Sequence, residues 1–222
     1  MSSTEALPTL AELATTLPGA SRVFQRHRLD FCCQGRRTLA EACRAAGLDA
    51  AAIRAEIERE GRPAQVAWNE LPVGEAVDEI ERTYHASHRR ELPALVELAT
   101  KVERVHGERA ECPRGLAEHL RALHDELEQH MLKEERVLFP LIREGLGFQC
   151  AGPIRVMEQE HEDAAGALRR TRALTGDLVA PACACTTWRA LYARLEVFER
   201  ELMEHAGLEN NVLFPRALAG GR

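Results

Sequence analysis

Two stretches of this 222-residue chain repeat one pattern: HMLKEERVLFP from His130 to Pro140 and HAGLENNVLFP from His205 to Pro215. Both read H-x-x-x-E-x-x-V-L-F-P. On a helix, positions i and i+4 lie about 5 to 6 Å apart on one face, so His130 with Glu134 and His205 with Glu209 are each shaped as a two-toothed metal grip. A single H-x-x-x-E is weak evidence, because a chain with nine histidines and many acids offers about one by accident. His124 with Glu128 is such a pair. The apolar V-L-F-P at a fixed offset is what separates the two grips from that decoy.

His85 and His161 are offset from each other by the same interval as the two grips, to within one residue. Each half of the repeat thus offers a lone histidine on one helix and a grip on the next. With a rise of about 1.5 Å per residue, the lone histidine and the grip of each half reach one depth to within about a turn. Four imidazoles and two carboxylates are an intermediate ligand set that matches Fe, Mn or Zn, and each glutamate can bridge two ions. Such a set inside a bundle suits a pair of irons. A structural zinc site would favour four closed ligands with thiolates. Ferritin-like di-iron bundles use Glu-x-x-His with extra glutamates, whereas here histidine comes first and the spacing is four.

His27, His119 and His124 read as ordinary surface or core histidines, and His106 falls at the far end of its helix from His85. His88, one turn beyond His85, is a candidate for supporting the site from outside, and Glu81 a weaker one. The stretch DFCCQG sets Cys32 beside Cys33 between helices, flanked by Arg22, Arg26, Arg28, Arg36 and Arg37 and opposed nearby only by Asp30. Positive neighbours stabilise thiolate, the nucleophilic and metal-binding form; the alternative is a pair of small buried residues beside a turn. Cys183 and Cys185 form a C-x-C with no matching pair and no assigned role.

The elements that must carry these residues are helices. Aromatics are only 5 % of the chain, and Ala, Leu, Glu and Arg dominate. Residues 1–66 read as a small module of short helices, with Pro18-Gly19 as a break, Thr38 and Glu41 as a capping box, and Gly47, Asp49 and Gly61 as punctuation. A linker with Pro63 and Pro72 follows. Residues 73–222 read as four long helices in an up-down bundle, with Pro93 a kink or restart in the first and GLGFQCAGP a connector before the third. The charge of −6 gives no basic surface for nucleic acid or anionic lipid. The longest apolar runs fall short of a membrane span, and the start, MSSTEALPTLAELATT, lacks a signal-peptide pattern. Seven scattered cysteines suit reduced thiols. A cytoplasmic protein is expected.

On these residues, together with TKVERVH, CTTW and LENNVLFPRALAG, the chain resembles the hemerythrin-like iron-sulfur cluster repair proteins of the ScdA or YtfE type over essentially its whole length. The resemblance implies an all-α fold, a hemerythrin-like four-helix bundle preceded by an ScdA-like module. It also implies a non-heme di-iron centre, with an oxo bridge among its forms, held by His85, His130, Glu134, His161, His205 and Glu209 with both glutamates bridging. The implied function is repair of clusters damaged by nitrosative or oxidative stress, through iron donation, with Cys32 and Cys33 in a transfer or redox step. Damaged iron-sulfur proteins would be the clients and nitric oxide a small ligand. Reduction of nitric oxide to nitrous oxide is the alternative, and an oxygen-binding or sensing module is a third reading. The oligomeric state stays open, a homodimer included.

Overall fold

The computed structural model describes residues 8–17, 19–60 and 68–220. Pro18, Gly61 and Pro63, expected as a break, a stop and a linker residue, lie outside them. Four short helices come first: α1 (Leu10–Thr16), α2 (Ala20–Arg26), α3 (Leu39–Ala46) and α4 (Ala50–Glu60). The capping box at α3 forms as the sequence implies, with Thr38 Oγ1 accepting from Glu41 N and Glu41 accepting from Thr38 N. Asp49 Oδ1 accepts from Ala51 N at the start of α4. These helices bury Leu10, Leu13, Val23, Phe24, Phe31, Ile53 and Ile57 in one small core.

Four long rods follow. The first is α5 (Val73–Ile80), a π-helical turn (Glu81–His85) and α6 (Ala86–His106). The second is α7 (Leu116–Lys133), a π-turn (Glu134–Leu138) and α8 (Phe139–Arg143). The third is the uninterrupted α9 (Gly147–Thr175), and the fourth α10 (Thr186–Leu208), a π-turn (Glu209–Leu213) and α11 (Phe214–Leu218). No helix among the described residues is long and apolar enough to cross a membrane.

Two expectations are corrected, the restart at Pro93 and the connector before the third rod. Helix α6 runs through Pro93 without a break. That residue faces solvent, so the carbonyl it leaves without a helical donor can be hydrated; the irregularity of this rod is the π-turn before it. GLGFQCAGP is not a connector, because α9 begins at Gly147 and includes Pro153. Gly147 is required there by close packing, since a Cβ would meet Ala217 O at 2.6 Å and Leu218 O at 3.2 Å. The link between the second and third rods shrinks to Glu144–Leu146, turned by Gly145 at φ 69.

The bundle interior is built in layers. One apolar cluster joins Leu92, Leu95, Leu120, Leu127, Trp188, Phe198 and Leu202. Another joins Val77, Ile80, Leu138, Phe139, Ile154, Met157, Leu213 and Phe214. Between them in all four rods lie buried His85, His88, His130, Glu134, His161, His205 and Glu209.

The short helices dock on the fourth rod. Gln25 Nε2 donates to Glu196 O at 2.8 Å and Glu199 Oε2 at 3.0 Å, and Ser21 hydroxyl donates to Glu204. Gly35 sits where a Cβ would meet Asn211 Oδ1 at 2.5 Å and Phe31 O at 2.7 Å. Gly35→Ala should therefore destabilise the protein by about 1 to 3 kcal/mol. Gly74→Ala, a helical site with open space, should raise stability by roughly 0.5 to 1 kcal/mol. Paired thermal and urea unfolding reads both, and equal effects would contradict the close approach at Gly35.

Candidate metal centre

Each π-turn abuts a candidate ligand: the first ends at His85, and the others begin at Glu134 and Glu209. A π-turn inserts one residue into an α-helix, and such bulges recur at functional sites. The second and third re-enter α-helix at the apolar part of the repeated motif, at Phe139 and Phe214, and the first at Ala86. Phe139 stacks on His85 with centroids 5.7 Å apart, and Phe214 on His161 at 6.0 Å. The phenylalanine of each V-L-F-P thus packs against the lone histidine of its own half, which accounts for the repeat. Pro140 and Pro215 follow where the helix restarts and an absent N–H is tolerated.

All six expected residues converge. Glu134 Oε2 lies 3.3 Å from His85 Nε2, and Glu134 Oε1 lies 3.4 Å from His130 Nε2. Glu209 Oε1 lies 3.2 Å from His205 Nε2, and Glu209 Oε2 lies 3.1 Å from His161 Nε2. Two sets result: His85, Glu134, His205 and Glu209, and His130, Glu134, His161 and Glu209, each with its ligand atoms within 4.8 Å of one another. The glutamates belong to both sets.

The polar atoms in these sets are buried with little to satisfy them. His85 Nε2, His205 Nε2 and all four carboxylate oxygens of Glu134 and Glu209 lack an aligned hydrogen-bond partner among the described residues. Leaving even one such atom unpaired costs about 1 to 3 kcal/mol. In each set they gather within 4.8 Å of one another, close enough to share an ion. His130 Nε2 and His161 Nε2 are 3.2 Å apart; with bonds of about 2.1 Å they would subtend roughly 100° at one ion. The donor set therefore fits a pair of cations.

Electrostatics agree. Burial and mutual repulsion push the Glu134 carboxyl up, but the neighbouring imidazoles prevail and hold it below the usual range. Burial likewise raises Glu209, yet His205 and His161 hold it well below. Burial lowers His130, but Glu134, Glu160 and Glu209 raise it to about 10 in the metal-free site. Since Glu160 can only accept, His130 Nδ1 donates to it at 2.9 Å. Without metal the His130 cation can then donate from Nε2 to His161, so a proton stands where an ion would sit.

Partners outside the six fix the rings. His85 Nδ1 donates to Glu135 Oε1 at 2.7 Å, and Arg89 pairs with the same carboxylate. His161 Nδ1 donates to Asn210 Oδ1 at 2.8 Å. Such contacts orient metal-binding imidazoles and set their tautomer. Glu135 and Asn210 are equivalent positions of the repeat, each following the glutamate of its grip, and only that equivalence could have disclosed them in the sequence. Their difference has a use: Asn210 Nδ2 donates to Cys32 O at 3.2 Å, which a carboxylate could not do. Asn211 Nδ2 supports the same carbonyl at 3.3 Å. A side-chain bridge thus runs from His161 to the cysteine pair.

The other sequence candidates lie elsewhere. His27 pairs with Glu56, His119 with Ala167 O and Thr171, His124 with Asp125, and His106 with Cys185. Glu128, the decoy's acid, pairs with Arg89, and Glu81 with Arg143. His88 is fully buried, its ring 5.3 Å from that of His205, and neither nitrogen has a partner among the described residues.

The expected thiolate at Cys32 is corrected. Its hydrogen bond with Cys33, its burial and the charge of Asp30 push the thiol well above the ordinary range. Three of the five arginines that flank it in sequence are engaged by partners distant in the chain: Arg22 and Arg26 by Glu60, Arg26 also by Glu56, and Arg28 by Asp177.

The bundle and its buried histidine and glutamate layer define a protein of the hemerythrin type. Residues 76–217 match the family described as Hemerythrin HHE cation binding domain, and residues 7–60 match ScdA_N, a domain of unknown function. The chain is 48% identical to the iron-sulfur cluster repair protein YtfE of Citrobacter koseri and to that of Enterobacter sp.. It is 46% identical to the protein of that name from Escherichia coli O157:H7. Each alignment covers 95% of this chain and 96% of the relative. The chain belongs to the YtfE family of hemerythrin-like proteins.

Asn210 can be tested on both of its arms. Asn210→Asp keeps an acceptor for His161 and loses the donor to Cys32 O; metal content should match the parent while the cysteine pair reacts faster with a thiol reagent. Asn210→Leu loses both, and metal affinity should fall about 10- to 100-fold. Equal metal affinity in the two variants would contradict the role given to the His161 contact.

Proposed function

We propose that this chain is a cytoplasmic di-iron protein that repairs iron-sulfur clusters damaged by nitrosative or oxidative stress, by donating iron to the damaged client. The observation that carries this reading is the pair of ligand sets sharing both glutamates. His85 and His205 would hold one ion, His130 and His161 the other, and Glu134 and Glu209 would bridge them with one oxygen to each. Bound there, two irons would supply a redox-active pair with coordination positions left for a small molecule such as nitric oxide. The relatives' printed name supports the repair role, and the HHE family's description supports cation binding. The free state of all seven cysteines is consistent with a reducing compartment.

Donation requires a route by which iron, as cargo, can leave. A cavity of about 570 Å³ reaches His130, His161 and His205 and is lined by Asp125, Glu126, Glu160 and Asp163. Acidic walls favour a cation along such a path. Lys133 pairs with Glu160 at its side, and Glu160 in turn holds His130. That ligand is therefore attached to the cavity wall, where a client's approach can loosen it. His161 is held instead by Asn210, in contact with the cysteine loop.

Glu134→Ala and Glu209→Ala should each leave iron labile or absent, cutting content from about two per chain to one or fewer, because either change removes a ligand from both sets. The double variant should no longer reactivate a cluster enzyme inactivated by nitric oxide. Reactivation surviving without both glutamates would overturn the di-iron reading. When the reduced, iron-loaded protein meets excess nitric oxide, gas analysis should find uptake near stoichiometry with the irons and no sustained nitrous oxide. Many turnovers would instead identify a nitric oxide reductase.

A further inference from the structure

The loop between α2 and α3 gathers three ligand atoms away from the histidine and glutamate layer. Cys32 Sγ and Cys33 Sγ lie 3.6 Å apart, Asp30 Oδ1 lies 3.3 Å from Cys32 Sγ, and ligand atoms of all three residues fall within 4.8 Å of one another. We infer that Asp30, Cys32 and Cys33 form a separate site for one thiophilic divalent cation, of the class of ferrous iron or zinc, with a coordination position open to the adjoining cavity. This holds whichever ions occupy the histidine and glutamate layer, since no ligand is shared.

The distances are those a tetrahedral ion needs. With metal–sulfur bonds of about 2.3 Å, sulfurs 3.6 Å apart subtend roughly 103° at the ion. With a carboxylate bond of about 2.0 Å, an oxygen 3.3 Å from Cys32 Sγ subtends roughly 100°. Adjacent cysteines seldom turn both sulfurs to one point, and here the backbone is held so that they do. Asn210 and Asn211 grip Cys32 O, and Asp30 Oδ1 accepts from Cys33 N at 2.9 Å.

Charge and access also fit. Two thiolates and a carboxylate carry three negative charges, so a divalent ion leaves one. Arg169 stands at a cavity of about 660 Å³ that Asp30 and Cys32 help to line, whereas Arg28 and Arg172 there are paired with Asp177 and Glu199. Binding from the dithiol exchanges protons for the cation: two S–H bonds break, two metal–sulfur bonds form, and two protons leave to solvent. Thiolates select softer ions than the histidine and glutamate set does. Three protein ligands with a fourth position facing a cavity is the arrangement of an exchangeable or reactive site rather than a closed structural one. The His161–Asn210–Cys32 bridge links the two centres.

Cobalt(II) tests this directly, because sulfur-to-cobalt charge transfer in the near ultraviolet appears only with thiolate ligation, and the histidine and glutamate layer holds no sulfur. Fully reduced protein holding two irons per chain is titrated anaerobically with cobalt chloride. One equivalent should develop that band together with intense tetrahedral visible bands and release two protons per ion. Cys32→Ser and Cys33→Ser should each lose at least half the charge-transfer intensity. Asp30→Asn should weaken binding tenfold or more, with iron content and circular dichroism confirming that each variant is folded. Cys183→Ser should leave the band unchanged. No charge-transfer band despite seven titratable thiols, or a band that persists in Cys32→Ser and vanishes in Cys183→Ser, would overturn the inference.

Discussion

The structure turns on two buried carboxylates. Glu134 and Glu209 have no exposed surface, lie in a layer bounded by apolar clusters above and below, and share their surroundings with four imidazoles. A buried charge without a counter-charge costs several kcal/mol, which is why such groups are paired or bind metal. The imidazoles alone do not align to satisfy the oxygens. Positive charge placed between the oxygens and nitrogens does, and the arrangement needs all four rods because each supplies at least one ligand.

The π-turns and the outer partners follow from that need. A regular helix would present histidine and glutamate at i and i+4 but leave the next residues facing as the α-helical period dictates. The extra residue in each π-turn lets Glu134 and Glu209 point inward while Phe139 and Phe214, five residues on, cover the lone histidine of the same half. The two halves then diverge at one position. Glu135 with Arg89 makes the His85 side a charged, rigid contact, whereas Asn210 makes the His161 side a neutral relay to Cys32. One bundle thereby acquires a side braced by an ion pair and a side in contact with the cysteine module.

Much of this was legible in the chain. The duplicated motif disclosed both glutamates, and the equal interval disclosed His85 and His161, because a repeat in sequence places equivalent residues at one depth. Thr38 and Glu41 disclosed a helix start through their own side chains. What the chain concealed depended on partners far along it. The arginines around Cys32 read as stabilising a thiolate until Glu56, Glu60 and Asp177 claimed three of them. Gly147 and Pro153 read as a connector because the close approach of Ala217 that favours glycine comes from the other end of the bundle. The π-turns have no local signature in the sequence, although each abuts one of the six converging residues.

The central claim is that each glutamate serves two ions at once, and X-ray absorption at the iron edge of the fully loaded protein bears on it most directly. Two irons per chain bound by nitrogen and oxygen donors with an iron–iron vector of about 3.5 to 4 Å, over and above any sulfur-bound ion at Asp30, Cys32 and Cys33, is the expected result. A single iron per chain, or two irons with no such vector, would contradict the shared glutamates and the account built on them.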